Sequence, residues 1–324
     1  MRKKILRISL IIGLFLFLFV FFKSGPVQIW EYIKKLTWQN FLILFVLRFF
    51  YYLLRTLNWK IIFEKYEPRV SFFQLFLARI AGDSISYITP SAQIGGEPVR
   101  AMMVSSLNTR KNFASVIVDK TIEVFTTIFF IIIGVAIALY RITMTRQYQF
   151  LFLAFLIAAI FFGILLFFRQ KQGFIMGFIN TLERMKIRFK FIAKNKLKIE
   201  EIDDHISDFY RNHRKRFLVV FLLYSFTFLF WTAEIYLALV FMNVDGINFL
   251  TSFLILTLGS LVILIPTIPA SLGIYEATYG TIFVLLGLGA DVGISLTLIR
   301  RILVFIWVGM GLLAILKNQK EISL

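Results

Sequence analysis

The sequence predicts an all-α, polytopic integral membrane protein with about six spanning helices and two re-entrant helical hairpins. The 324-residue chain is 59% hydrophobic and contains 39 Phe, whereas a soluble domain is about half apolar. Several apolar runs reach the roughly 20 residues that cross a bilayer. The net charge is +18, and Lys and Arg cluster at the ends of apolar runs, as in membrane proteins. This pattern favours contact with anionic lipid over nucleic-acid binding.

The apolar runs give the predicted elements in chain order. They lie at residues 5–22, 39–58, 71–88, 113–140, 148–168, 217–242, 249–268, 274–289 and 295–316. The first, second, fourth, fifth, sixth and last are long enough to span. The first is read as a retained helix, since no small-residue cleavage motif follows it. The remaining three are short or bounded by Pro and Gly.

The distribution of basic residues predicts the orientation in a cell membrane. With a cytoplasmic N-terminus, the outside loops hold only Lys23, Lys34, Lys35, Arg141 and Arg146, and the inner loops hold far more. Because cytoplasmic loops are enriched in Lys and Arg, both termini are predicted to be cytoplasmic. This topology requires segment 71–107 to enter and leave from inside, and segment 249–289 to do so from outside.

The chain is predicted to form a single transmembrane domain over residues 1–324, with one polar, basic cytoplasmic loop at 169–216. That loop is partly amphipathic, because Phe174, Ile175, Phe178 and Ile179 follow a helical spacing. Two interpretations stay open: a helix at the membrane interface that contacts anionic headgroups, or a solvated connector.

Two Pro- and Gly-containing breaks interrupt the apolar runs. They read ITPSAQIGGEPVR at 88–100 and IPTIPASLGIYE at 265–276. Pro removes a backbone donor, and Gly tolerates unusual backbone conformations. Lipid cannot hydrogen-bond an opened backbone, so a break at membrane depth lines a polar cavity or is buried in protein. Paired breaks in the two halves of a chain are typical of an inverted repeat around a transport site. The alternative is a pair of ordinary turns outside the membrane.

Charged residues within predicted spans, together with the two breaks, give the candidate substrate-binding residues. Seven basic and six acidic residues lie at or near membrane depth, and this near-balance indicates internal pairing. For any one of them, a structural salt bridge and a ligand contact remain alternatives. The candidates are Arg48, Arg55, Asp83, Pro90, Gly95, Gly96, Glu97, Arg100, Asp119, Lys120, Glu123, Pro269, Gly273, Glu276, Arg300 and Arg301.

The chemistry of the side chains argues against several classes of site. The chain has no Cys, and its two His, His205 and His213, lie in the predicted loop. We therefore expect no metal site, no other cofactor and no His-based catalysis. The sequence contains no nucleotide-binding motif, so direct use of ATP is not expected.

Three segments carry a family resemblance: TPSAQIGGEPVRA at 89–101, VIVDKTIEV at 116–124 and PTIPASLGIYE at 266–276, with Arg300 and Arg301 behind the last. In this order they resemble the flippase-like family of the lysylphosphatidylglycerol synthase transmembrane region, over nearly the whole chain. The resemblance implies movement of an anionic or aminoacylated phospholipid, or a polyprenyl-linked lipid, between leaflets. Ala270 and Ser271 stand where many relatives have Gly-Gly.

Within that family, the lysylphosphatidylglycerol synthases carry a soluble C-terminal transferase domain. The last predicted span ends close to Leu324, so we expect no aminoacyl transferase activity. One alternative is an integral-membrane transferase acting on a lipid or polyprenyl phosphate, with Asp119 and Glu123 as its acidic pair. Another is a non-catalytic partner of a lipid or cell-envelope enzyme. The expected partners are anionic membrane lipids; a second copy of the chain or a lipid-synthesising enzyme stays open.

Overall fold

The computed structural model describes residues 18–19, 21–23, 25–66, 70–89, 95–104, 108–142, 145–170, 173–184, 195–261 and 269–322. These ranges contain helices and no strand. The helices are α1 Pro26–Lys35, α2 Trp38–Phe63, α3 Phe72–Ile88, α4 Glu97–Met103, α5 Thr109–Arg141, α6 Arg146–Gln170, α7 Phe174–Arg184, α8 Lys196–Asn212, α9 Arg214–Phe241, α10 Phe249–Gly259, α11 Ile274–Leu285 and α12 Ala290–Ile322.

Among the described residues, five helices are long and apolar enough to span a membrane, namely α2, α5, α6, α9 and α12. They confirm five of the six predicted spans, and the chain is an all-α, multi-pass membrane protein. Of the predicted first span, only residues 18–19 and 21–22 are described, and they are helical. Side-chain caps fix where several helices begin: Thr37 accepts from the Asn40 amide at 3.3 Å at the start of α2, as Asn108 does for α5 and Asn248 for α10.

The first predicted hairpin is present as α3 and α4. The chain turns back after Ile88, so that Gly96 lies against Gly82 halfway along α3. A Cβ on Gly96 would lie 1.7 Å from the Gly82 carbonyl oxygen, and the Gly96 amide donates to Ser86 Oγ at 2.9 Å. Only two glycines permit this approach of one backbone to another. As predicted, a new helix begins at Glu97.

The second predicted hairpin is formed by α10 and α11, and a short helical turn at Pro269–Ser271 precedes α11. Gly259 of α10 packs against the Tyr279 ring of α11. Gly273, with φ +76°, precedes the first residue of α11, as the sequence predicted. Ala270 and Ser271 also adopt positive φ, at +56° and +48°. Whether the two hairpins enter a bilayer from opposite faces, as an inverted repeat would, stays a prediction.

The 169–216 segment is helical and folded against the bundle where it is described. Helix α8 buries Ile206 and Phe209 against α5 and its neighbours. Tyr66, just after α2, donates to the His205 carbonyl oxygen at 3.1 Å. The Asp203 carboxylate accepts from the first amides of α7, at 2.9 and 3.1 Å, and so caps that helix. Helix α8 is therefore a packed element rather than a solvated connector, and lipid contact by α7 stays a prediction.

Candidate functional site

A buried group of ion pairs, the Asp119 cluster, joins α2, α3, α4, α5 and α9. Its members are Arg55, Arg79, Asp83, Glu97, Arg100, Asp119, Lys120, Glu123 and Tyr224. At its centre the fully buried Asp119 carboxylate accepts from Arg79 at 2.8 Å and from Arg100 at 2.7 Å. The Tyr224 hydroxyl donates to its other oxygen at 2.6 Å. Three charge-assisted bonds stabilise this carboxylate away from water.

The other charged residues of the Asp119 cluster neutralise one another. Arg55 binds both Asp83 and Glu123, the latter at 3.0 Å. Lys120 lies 3.4 Å from the Glu123 carboxylate, and Arg100 also binds Glu97 at 2.7 Å. Four cations face four carboxylates, so the cluster carries no net charge. This internal pairing is what the near-balance of charges in the sequence predicted.

A second group, the Arg301 cluster, fastens the two hairpins together. Arg301 on α12 binds the Glu276 carboxylate, and its Nη1 donates to Tyr87 Oη at 3.0 Å and to the Ala270 carbonyl oxygen at 2.9 Å. Tyr87 ends the first hairpin's helix, and Ala270 lies at the tip of the second hairpin. Glu276 also accepts from the Gly273 amide at 2.8 Å, which closes the turn before α11.

Arg300 differs from every other buried cation in the described part of the chain. Arg48 pairs with Glu234, and Arg301 pairs with Glu276, but no carboxylate among the described residues pairs with Arg300. Its Nη1 donates to Tyr279 Oη at 2.9 Å, and its Nε is buried without a hydrogen-bond partner among those residues.

The surroundings of Arg300 are aromatic. The guanidinium lies 5.1 Å from the Trp231 ring, 5.7 Å from Tyr279 and 5.8 Å from Tyr275. Cation–π contacts of this kind partly offset the loss of water around a buried cation. They supply no full negative charge, and the nearby Glu234 carboxylate is already paired with Arg48. Arg48, Arg300 and Glu234 together therefore keep one uncompensated positive charge. Such a site attracts an anion.

A cavity of about 30 Å³ lies between α2, α5 and α9. This volume exceeds the 10–15 Å³ or so that one water requires. The lining combines Arg55 and Glu123 of the Asp119 cluster with aromatic side chains and threonine hydroxyls, and it includes Tyr51, Thr126, Thr127, Tyr224, Thr227, Phe228 and Trp231. One wall of the Asp119 cluster therefore faces a small cavity whose lining is partly polar and partly aromatic.

The structure distributes the sequence-predicted site residues unevenly. Asp83, Glu97, Arg100, Asp119, Lys120, Glu123 and Arg55 meet in one cluster, and Glu276 and Arg301 meet in the other. Gly82, which was not a candidate, shares the close contact of Gly96. Gly95 lies in the turn before α4, Pro269 lies at the tip of the second hairpin, and Pro90 lies outside the described residues. The roles of these residues in substrate binding stay predictions.

Three site side chains were missed by sequence reasoning: Tyr224 and Trp231 on α9, and Tyr279 on α11. Glu234 of α9 was counted among the six acidic residues at membrane depth but was not a candidate. Tyr224, Trp231 and Glu234 follow one another at i, i+7 and i+10, which places them on one face of a helix. That spacing was readable in the sequence. It was obscured because α9 is apolar on every side, and Tyr and Trp alone carry no charge signal.

Comparison with known proteins agrees with this description. A family model described as the lysylphosphatidylglycerol synthase TM region matches residues 5–312. The chain belongs to this family. This family member is similar to a UPF0104 membrane protein of Pyrococcus horikoshii, with 27% identity over 288 residues, covering 83% of this chain and 84% of the relative. A UPF0104 membrane protein of Methanothermobacter thermautotrophicus is 27% identical over 315 residues, covering 90% and 89%. No solved structure matches.

The matched region of the family includes the predicted first span and both hairpins. The two clusters thus belong to the part of the chain that defines the family. The relatives are named as membrane proteins only, so their names give the membrane class and no chemistry.

Proposed function

We propose that this protein is a membrane lipid transporter that moves an anionic or aminoacylated phospholipid, or a polyprenyl-linked lipid, between leaflets. One observation carries the proposal: Arg300 is buried on the candidate span α12, and no carboxylate among the described residues pairs with it. A charge in that position is costly unless it meets an opposite charge. A lipid phosphate supplies that charge, and it enters a bilayer together with its acyl chains.

In this proposal the two clusters stabilise the fold, and Arg300 binds the substrate. The Asp119 cluster and the Arg301 cluster hold the broken segments in place, because their charges satisfy one another. Arg300 binds the headgroup phosphate, and its Nε and Nη groups offer the fork that suits phosphate oxygens. The acyl tails stay in lipid at the protein surface while the headgroup passes through the bundle.

The chemistry of the acidic residues favours transport over an integral-membrane transferase. Asp119 is bound by Arg79, Arg100 and Tyr224, and Glu123 is bound by Arg55 and Lys120. A catalytic base or metal ligand needs a free oxygen facing its substrate.

The proposal is tested by lipid translocation in proteoliposomes, with headgroup-labelled phosphatidylglycerol and a membrane-impermeant quencher. We expect native protein to expose the inner-leaflet label to the quencher, and Arg300→Gln to abolish this activity. Arg300→Lys should retain part of it, because an ammonium keeps the charge but loses the fork.

Arg146→Gln is the matched control, since Arg146 is exposed at the start of α6. It should translocate lipid at the native rate. Full activity of folded Arg300→Gln protein would show that Arg300 is not part of the transport site. No translocation by folded native protein, with phosphatidylglycerol or with the lipids that copurify, would overturn the proposed function.

A further inference from the structure

The cavity and the uncompensated cation lie next to each other without being joined. Trp231 lines the cavity, and its ring lies 5.1 Å from the Arg300 guanidinium. Arg300 itself does not line the cavity. The indole therefore stands between the polar space beside Glu123 and the site that the proposed function assigns to a phosphate.

Trp231 and Tyr51 together form the partition. Their ring centroids are 5.4 Å apart. Tyr51 lies between two arginines of α2, at 5.3 Å from Arg48 and 5.5 Å from Arg55. Arg48 also lies 5.9 Å from the Trp231 ring. The partition thus has cations on both sides, Arg55 on the cavity side and Arg48 and Arg300 beyond it.

The way Trp231 is held suits a side chain that moves. Its Nε1 is buried and has no hydrogen-bond partner among the described residues, although buried polar groups normally have one. The indole is held by ring packing and cation–π contacts, each worth about 0.5–2 kcal/mol. No hydrogen bond within the described chain opposes its rotation. A phosphate that binds Arg300 would compete for the same guanidinium and weaken one of those contacts.

We propose that Trp231 is a gate between the cavity and Arg300. When the indole turns away, the cavity and the Arg300 site form one polar passage, and when it returns the passage is divided. This inference rests on the proposed function for its ligand, a lipid headgroup that carries a phosphate. The gate itself is a property of the side chain and is measurable without any lipid.

The test uses the absence of cysteine from the sequence. Thr127→Cys places a single thiol in the cavity lining with little change in volume. In oriented vesicles, a membrane-impermeant thiol reagent is added to one side or the other, and the rate of modification is measured. With Trp231 present, we expect the thiol to react from one side only. In Thr127→Cys/Trp231→Ala protein, we expect reaction from both sides.

On the previously protected side, the rate should rise about tenfold or more, because the minor state of a two-state element is populated to roughly 10% or less. Trp231→Leu serves as a second variant that leaves a smaller void if the alanine protein does not fold. Trp307→Leu is the matched control: Trp307 is buried on α12 and its Nε1 also lacks a partner among the described residues. Since Trp307 lies away from the cavity lining, its loss should leave reaction one-sided.

Unchanged one-sided reaction in folded Trp231→Ala and Trp231→Leu proteins would overturn the gate, as would equal reaction from both sides in protein that retains Trp231. Neither result bears on lipid translocation by native protein or by Arg300→Gln, so failure of the gate is distinguishable from failure of the proposed function.

Discussion

At the residue scale, buried charges in this protein differ by how fully they are neutralised. Asp119 has two arginines and a tyrosine hydroxyl as partners and has no exposed surface. Arg300 has a single hydrogen-bond partner among the described residues, the neutral hydroxyl of Tyr279. Removing one partner of a satisfied buried pair leaves an uncompensated charge, which is strongly destabilising. The effect of a substitution on stability should therefore distinguish residues that stabilise the fold from residues that bind the ligand.

Asp119→Asn should lower thermal stability severely, because it leaves Arg79 and Arg100 without their shared carboxylate. The expected loss is about 3–5 kcal/mol, the range for breaking a buried pair. The measurement is the temperature at which detergent-purified protein loses its monodisperse size-exclusion peak. Glu31→Gln is the control, because Glu31 forms an exposed pair with Lys34, and such pairs contribute little. A native-like Asp119→Asn protein would contradict this account of the cluster.

At the element scale, the two hairpins use different backbone devices. The first relies on contact between Gly82 and Gly96, which leaves no space for a side chain. The second relies on positive φ at three of four successive residues, Ala270, Ser271 and Gly273, of which only Gly273 is a glycine. The left-handed conformation costs a residue with a Cβ roughly 1–2 kcal/mol. Close packing therefore restricts which residues the first hairpin tolerates, and backbone strain restricts them in the second.

Gly96→Ala should disrupt the first hairpin, since its Cβ would lie 1.7 Å from the Gly82 carbonyl oxygen and backbone must move. Overpacking of this kind costs about 1–3 kcal/mol or more. Gly309→Ala is a matched control within α12, where nothing lies within 4 Å of the added Cβ. Thermal stability should fall in the first variant and hold in the second. Equal stability of the two variants would show that the contact is not tight.

Ala270→Gly should stabilise the second hairpin. Ala270 has φ +56°, and glycine adopts that conformation without a Cβ penalty. The gain is expected to be about 1 kcal/mol or less, because glycine also makes the unfolded chain more flexible. The same thermal assay measures it. A clear loss of stability would mean that the alanine methyl group contributes packing that outweighs the backbone strain.

At the scale of the whole molecule, the Arg301 cluster connects elements that are far apart in the chain. Tyr87 and Arg301 are separated by 214 residues and lie in hydrogen-bond contact. The two broken segments and α12 are therefore joined through the side chain of one residue, Arg301. The orientation of this assembly in the membrane is predicted by the basic loops, since the 169–216 segment is the loop richest in Lys and Arg.

Single cysteines in the cysteine-free chain test that orientation. Lys215→Cys, in the 169–216 segment, should react with an impermeant maleimide only in inside-out vesicles. Asp245→Cys, in the turn between α9 and α10, should react only in intact cells. Both positions are exposed. The reversed pattern would place the basic loop outside and would contradict the predicted cytoplasmic termini.

The sequence by itself determined the membrane class, five of the described spans and the positions of both breaks. These features depend on local properties: the length of an apolar run, the lost donor of a proline and the freedom of a glycine. It also indicated that the buried charges pair with one another, because seven cations and six carboxylates at membrane depth nearly balance.

Only the tertiary structure decided which charges pair. Arg300 and Arg301 are neighbours in sequence, but successive residues on a helix point about 100° apart. Arg301 therefore faces Glu276 and the hairpin tip, whereas Arg300 faces Trp231, Tyr275 and Tyr279. The pairing of a charge depends on which helices meet and at what height, and a single sequence does not record that. The uncompensated cation, and the indole beside it, emerge only when the helices are packed.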